Sequence, residues 1–343
     1  METSASSQPT SLAGTREALQ SAGVVCVQLG SISVVRTWVL PQGFREPNPV
    51  VIVRGVRRHL VQLRADVIIA GDLSICVLQA LIYARLRRPG RRPRVFSWAR
   101  VSEHSERGRG RLQSHLRPWL LRATDGVITN GGSGVRYLEG IGVEGRKIHQ
   151  IPQATNPRVA GASLVNAHDP VRLLFVGRLV ELKGLNLLLE EMAKSPRADV
   201  VLRIVGVGPQ MTDLQEQARR LNLRVEFAGY CQGVKLATQY AESDYFVFPS
   251  LSDEWGLVIN EALASGLPVL GSVYSQAVNE LIQDGVNGWR FRPDCPGQLA
   301  KLLASLPGLD AETRKLLRKN GLVSAHQVTP RRVADLFAGA IGR

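Results

Sequence analysis

Cysteine is scarce in this chain, with four in 343 residues. Cys26, Cys76, Cys231 and Cys295 are widely scattered, with no Cys-x-x-Cys and no histidine at ligand spacing. That excludes a disulfide framework and a zinc site, and it fits a reducing compartment. Long apolar runs are missing too. The nearest approach, residues 24–40, is broken by Gln28, Ser31, Ser33 and Arg36 and is too short and polar to cross a bilayer. The first 14 residues carry no cationic start before an apolar core, so they do not read as a signal peptide. The expectation is a cytoplasmic protein, soluble or peripheral at the inner face of a membrane. No helix-turn-helix spacing, ribonucleoprotein motif or aromatic-interleaved basic patch occurs, which argues against nucleic acid as a partner.

What is present is a globular composition, 44% hydrophobic and 21% charged, and enough chain for two domains. The net charge of +14 is unevenly placed. Through His168 there are 23 basic against 10 acidic residues, and from Asp169 onward 20 against 19. The excess in the first half is almost all arginine. It suits an anionic partner: a phosphate-bearing substrate or an anionic membrane surface.

Short apolar runs alternate with helical spacings along the whole chain. Ala65–Ala70, Arg94–Trp98, Gly126–Thr129 and Lys147–Ile151 read as strands of a first unit. Val171–Val176, Val200–Val205, Val225–Phe227, Tyr245–Phe248 and Pro268–Gly271 read as strands of a second. Two earlier β-type runs, Ala22–Leu29 and Ser33–Leu40, and a short one at Val50–Val53 precede them. Short helices are expected between the strands, including one at Asn279–Gln283. The rhythm predicts an α/β protein of two Rossmann-like, doubly wound domains facing a cleft. Residues 1–15 read as a loose tail, 16–165 as the first domain and 166–328 as the second. Residues 329–343 read as a last helix packing back on the first domain.

Two stretches of the second half carry chemistry. In Phe175-Val-Gly-Arg-Leu-Val-Glu-Leu-Lys-Gly184, Gly177 allows a close turn after a strand. Arg178 and Lys183 then offer a fixed fork and a point charge, enough for the two phosphates of a diphosphate. Two surface cations at a helix start are the plainer reading. In Phe248–Pro268, a strand, a loop and a helix opened at Gly256 bring free backbone N–H groups to one place, suited to an anion. Asp253 and Glu261 flank that junction, and an acid this far into a helix lies roughly 8 Å down its axis. An ordinary βα unit with two solvated acids is the alternative.

These stretches, with the Val-Gly-Val-Gly-Pro turn at 205–209 and the Ala-Gly-Tyr turn at 228–230, resemble glycosyltransferase family 4 (group 1) in order and spacing. Its members are retaining enzymes with the two-domain GT-B fold. The resemblance covers most of residues 169–293 and is looser before that. It implies transfer of a sugar from a UDP- or GDP-type donor to a glycan or lipid-linked acceptor, without metal or other cofactor. The absence of Asp-x-Asp agrees with this. It further implies that Arg178 and Lys183 hold the diphosphate and that Glu261 binds the ribose hydroxyls. Asp253 takes the place of a family glutamate facing the donor sugar, with Glu254 as its rival. The backbone of Gly256 and Leu257 meets the phosphate, Gly177 lies beside it, and Gly206, Gly208, Gly229 and Tyr230 flank the base. Arg100, Glu103 and His104, on a first-domain loop, are candidates for the acceptor or donor-sugar side. Residues 275–280, Ser-Gln-Ala-Val-Asn-Glu, lack the Gly-Gly pair common in relatives. The strand and Gly-rich loop that open most relatives are not evident before Val24, so the first domain is expected without its first strand. That feature and Asp253 leave a second reading, an inactive relative serving as a binding module.

Overall fold

A computed structural model of the protein describes residues 31–39, 45–53, 55–71, 75–87, 90, 92–106, 111–155, 170–195 and 199–342. The expected strand at Ala22–Leu29, the tail and the boundary segment near 157–169 lie outside these residues.

The first half opens with an antiparallel hairpin, β1 (Ser31–Val39) and β2 (Arg45–Val53), which forms a sheet of its own. Its strands do not join the parallel sheet that the alternating pattern predicted. Only five residues connect them, and a parallel crossover needs a dozen or more. Helix α1 (Val56–Leu63) follows. Then come β3 (Val67–Gly71), α2 (Ile75–Arg85), β4 (Arg94–Trp98), α3 (Arg111–Arg122), β5 (Gly126–Thr129), α4 (Gly132–Gly140) and β6 (Ile148–Gln150). The four strands pair in parallel in the order β3-β4-β5-β6.

The second half is a six-stranded parallel sheet in the order β12-β11-β10-β7-β8-β9. Its strands are β7 (Val171–Val176), β8 (Val200–Val205), β9 (Val225–Gly229), β10 (Tyr245–Phe248), β11 (Val269–Ser272) and β12 (Gly288–Phe291). The intervening helices are α5 (Leu185–Ala193), α6 (Met211–Arg220), α7 (Val234–Ala241), α8 (Leu257–Ala264) and α9 (Gln276–Leu281). Five of the six residues of β7 are apolar, Arg172 being the exception, as a strand covered on both faces requires. Successive side chains alternate: Leu173 and Phe175 join a core cluster with Leu185, Leu188 and Leu189 of α5. Leu174 and Val176 join the other, with Ile259 and Leu263 of α8. Leu185, Leu188, Leu189 and Met192 recur at helical spacing, which is why α5 lies flat on the sheet.

Two further elements differ from the sequence reading. The helix expected at Asn279–Gln283 starts three residues earlier, because Gln276 and Ala277 are drawn into the interior. The turn at residues 285–288 delivers an edge strand, β12. Its Gly288 packs so close to β11 that a Cβ there would meet the Val269 carbonyl oxygen at 2.1 Å.

Helices α10 (Gln298–Ser305) and α11 (Ala311–Ala325) complete the second half. The last helix, α12 (Pro330–Ile341), starts with a proline at its first turn and crosses to the first half. There Val333 and Ala340 pack on Phe96, Ile128 and Ile151, and Phe337 meets Trp98 edge to face, 5.2 Å between centroids. Among the described residues no helix is long and apolar enough to cross a membrane.

Candidate functional site

The loops after β7, β8 and β10 meet at the C-terminal ends of the strands, where ligands bind in such sheets. Glycine makes the approach feasible. A Cβ on Gly206 would lie 1.8 Å from the Gly177 carbonyl oxygen, and one on Gly184 would lie 2.2 Å from that of Pro249. Both residues also have positive φ, 143° and 68°. Leu251 N–H donates to the Leu182 carbonyl at 2.8 Å, tying the β10 loop to the β7 loop.

That tie sets Lys183 beside Asp253. Lys183 Nζ donates to Asp253 Oδ2 at 2.5 Å, both side chains about five-sixths buried, and lies 5.3 Å from the centre of the Phe248 ring. The other carboxylate oxygen, Oδ1, accepts the Trp255 N–H at 3.1 Å. Asp253 is therefore held from two sides at the mouth of α8. Glu254 is anchored through its main chain instead: its carbonyl accepts from Asn130 Nδ2 at 3.3 Å and Gln276 Nε2 at 3.0 Å. Arg178 is exposed on the β7 loop. Gly208 follows β8 and Gly229 ends β9. Tyr230 after it is largely exposed, its hydroxyl 3.4 Å from Gln232 Oε1.

Helix α8 begins behind Gly256, whose φ of 99° favours glycine. Leu257 is part-exposed at its first position. Glu261 is half-buried, and its Oε2 accepts a hydrogen bond from Tyr240 Oη at 2.8 Å. Burial pushes the Glu261 carboxyl above its ordinary value, and the Tyr240 bond opposes that rise. Burial, then the Glu261 charge, pushes the Tyr240 phenol well above its own.

The first half faces this site. His104 stacks on Tyr274, ring centroids 4.1 Å apart, and its Nε2 donates to the Leu251 carbonyl at 2.6 Å. Its ring thus reaches the β10 loop two residues from Asp253. Glu103 turns away: its carboxylate accepts from Arg136 and Ser133 within the first half. Arg100, Gly71, Trp98 and Gln153 line a cavity of about 240 Å³ at the ends of β3 and β4.

The segment at 275–280 does unexpected work. Gln276, 2% exposed, accepts from Gly134 N–H at 3.1 Å and donates to the Val101 carbonyl at 2.9 Å. Glu280 accepts from Gly132 N–H at 2.7 Å and Gln150 Nε2 at 2.8 Å. Asn260, bonded to the Trp255 indole, donates to the Gln153 carbonyl at 2.8 Å. Sequence reasoning missed Gln276, Asn260, Tyr240 and Tyr274 as parts of the site. The one available signal was Tyr240, which shares helical spacing with Leu236 and Ala237, since a tyrosine on a buried helix face needs a partner for its hydroxyl.

Comparison with known proteins places this arrangement. Residues 170–307 match the model described as Glycosyl transferases group 1, and residues 10–154 match a Glycosyl transferase 4-like domain. A sulfoquinovosyl transferase of Arabidopsis thaliana is 36% identical over 154 residues, 43% of this chain and 28% of its own. A GDP-mannose-dependent alpha-mannosyltransferase of Corynebacterium glutamicum is 40% identical over 114 residues, 33% of this chain and 26% of its own. The matches thus span only about a quarter of these relatives' length. Among solved structures, the lipopolysaccharide outer core galactosyltransferase WaaB superposes with a TM-score of 0.71 at 17% identity. That match covers 83% of this chain and 77% of the other. Anabaena HepE in complex with UDP and glucose superposes at 0.68 and 18% identity, covering 84% and 81%. With both halves matched in order and the fold shared across the described chain, the protein belongs to the group 1 glycosyltransferases of GT-B fold.

Proposed function

We propose that the protein transfers a sugar from a UDP- or GDP-type donor to a glycan or lipid-linked acceptor, with retention of configuration and without a metal. The observation that carries this reading is the junction of Lys183, Asp253 and the α8 N-terminus, with Glu261 one turn into the helix. Lys183 and Arg178 would hold the diphosphate, helped by N–H groups at Gly256 and Leu257. When the bond from the anomeric carbon to the diphosphate breaks, its electrons leave on the diphosphate. Preorganised cations there stabilise the developing charge and take the part a metal plays elsewhere. Asp253 is the better placed of the two adjacent acids to face the donor sugar, since its carboxylate already meets Lys183. The loops at Gly206, Gly208, Gly229 and Tyr230 would flank the base.

Residues 16–165 would form the acceptor side and 166–328 the donor side. The cavity at Trp98 and Arg100 is the place for the acceptor. The arginine excess of the first half suits a peripheral position on an anionic cytoplasmic membrane face. A non-catalytic binding module is less well supported, because Lys183 and Asp253, both expected for transfer, meet at the mouth of α8. Thermal melting with UDP, GDP and ADP tests the reading. At least one should raise the midpoint, and Arg178→Ala and Lys183→Ala should remove the shift. A shift that survives both substitutions overturns the phosphate assignment.

A further inference from the structure

Glu261 stands out among the acids of the second half. It is half-buried, and burial works against its charge, yet no cation pairs with it among the described residues. A buried carboxylate is ordinarily paired or neutralised. Among the described residues, the group that meets the Glu261 carboxylate is a neutral one, the Tyr240 hydroxyl, on Oε2. The other oxygen, Oε1, accepts no hydrogen bond among the described residues and is not fully buried.

Tyr240 is itself fixed. It is 3% exposed on α7, and its ring packs on Phe246 with centroids 5.9 Å apart. Its burial keeps the phenol protonated through the physiological range. The direction of the bond is therefore set, with Tyr240 donating and Glu261 accepting. A donor on one carboxylate oxygen favours the ionised form and holds the side chain in one rotamer. The carboxylate then offers a second acceptor, Oε1, to the cleft. A carboxylate without a cation repels phosphate and suits neutral hydroxyl donors.

We infer that Tyr240 is the positioning residue that makes Glu261 an oriented hydroxyl acceptor, and so sets the preference of the site for a ribose diol. This rests on the donor-site reading above. Tyr240 touches no substrate and acts through Glu261 alone.

The test compares UDP and GDP with their 2′,3′-dideoxy forms by titration calorimetry. Wild type should prefer the ribonucleotide. Tyr240→Phe keeps the ring and should weaken the ribonucleotide about tenfold, the size of a lost hydrogen bond to a charged group. It should leave the dideoxy form within about twofold, a split that a merely structural role would not produce. Adding Tyr240→Phe to Glu261→Gln should cost nothing further on the ribonucleotide. If the Phe variant does not fold, 4-aminophenylalanine at 240 keeps a weaker donor and should give an intermediate ribose preference. Equal losses on both ligands, or no loss, overturn the inference. A ribose preference lost in Glu261→Gln but kept in Tyr240→Phe overturns it while leaving the donor-site reading intact. A wild type that binds neither nucleotide removes both.

Discussion

Lys183 and Asp253 lie 70 residues apart in the chain and form an ion pair 2.5 Å long at the mouth of α8. In that geometry the cation proposed for a diphosphate already has an anion on it. A nucleotide bound there as proposed must displace or share that contact. Asp253→Asn removes the competing charge, so UDP or GDP should bind as tightly or up to about tenfold tighter, while turnover of the nucleotide sugar falls about a hundredfold. Glu254→Gln should change turnover far less. Parallel binding and steady-state measurements separate the two, and the reverse order would make Glu254 the acid at the donor sugar.

Gln276 bonds to three main-chain groups, Gly134 N–H, Val101 O and Glu254 O, from a buried position between the halves. Gln276→Ala leaves all three without it. The expected cost is about 2–4 kcal/mol, as buried polar groups lose their partners. Urea denaturation followed by tryptophan fluorescence should show the loss, and a change below about 0.5 kcal/mol would mean that water replaces the amide.

The Asp244–Arg318 pair lies beneath the sheet of the second half, 3.7 Å apart, each side chain 3% exposed. Asp244 also accepts the Arg172 N–H, and Arg318 donates to the Ser243 carbonyl. Burial pushes the neighbouring Tyr245 phenol up to about 12. Arg318→Ala should cost about 3–5 kcal/mol, because Asp244 is left charged and buried. The double variant Asp244→Asn with Arg318→Met should cost clearly less. Chemical denaturation of the wild type and the two variants checks both statements.

Glu191 joins α5 to the start of α10: its carboxylate accepts the N–H groups of Gly297 and Ala300 and meets Lys194. Burial alone would raise its pKa. The Lys194 bond and the two N–H bonds outweigh burial and hold the carboxyl below its ordinary value. A depressed carboxyl stabilises the fold above its unfolded value, and that contribution is lost as pH falls through the folded value. Glu191→Gln should therefore destabilise the protein at pH 7 and flatten the decline of stability below about pH 4.5. Melting curves from pH 7 to pH 3 test this, and an unchanged acid limb would assign that decline to other carboxylates.

The parallel sheets and most helix positions were legible because their cause is local. Val171–Val176 is apolar but for Arg172, Tyr245–Phe248 is apolar throughout, and Leu185, Leu188, Leu189 and Met192 keep helical spacing. Arg178, Lys183, Asp253 and Glu261 could be named because a loop of fixed length carries each pair. The hairpin misled because Ser33–Leu40 has strand composition whichever way it pairs, and only the short connector decides. Gln276 and Glu280 were illegible for a different reason. Their partners, Gly132, Gly134 and Gln150, are more than a hundred residues away and are main-chain groups or an amide. No spacing within the segment reports such a contact. Tyr240 likewise reads as core until its distance to Glu261 is known.

Helix α12 couples distant parts of the chain in time as well as in space. Val333, Phe337 and Ala340 complete a core whose other members, Phe96, Trp98, Ile128 and Ile151, are made some two hundred residues earlier. During synthesis the first half waits, with that apolar face uncovered, until the last turn of helix has left the ribosome. A truncated product of translation therefore exposes a sticky surface that the finished protein hides, which marks incomplete chains for capture by chaperones and proteases.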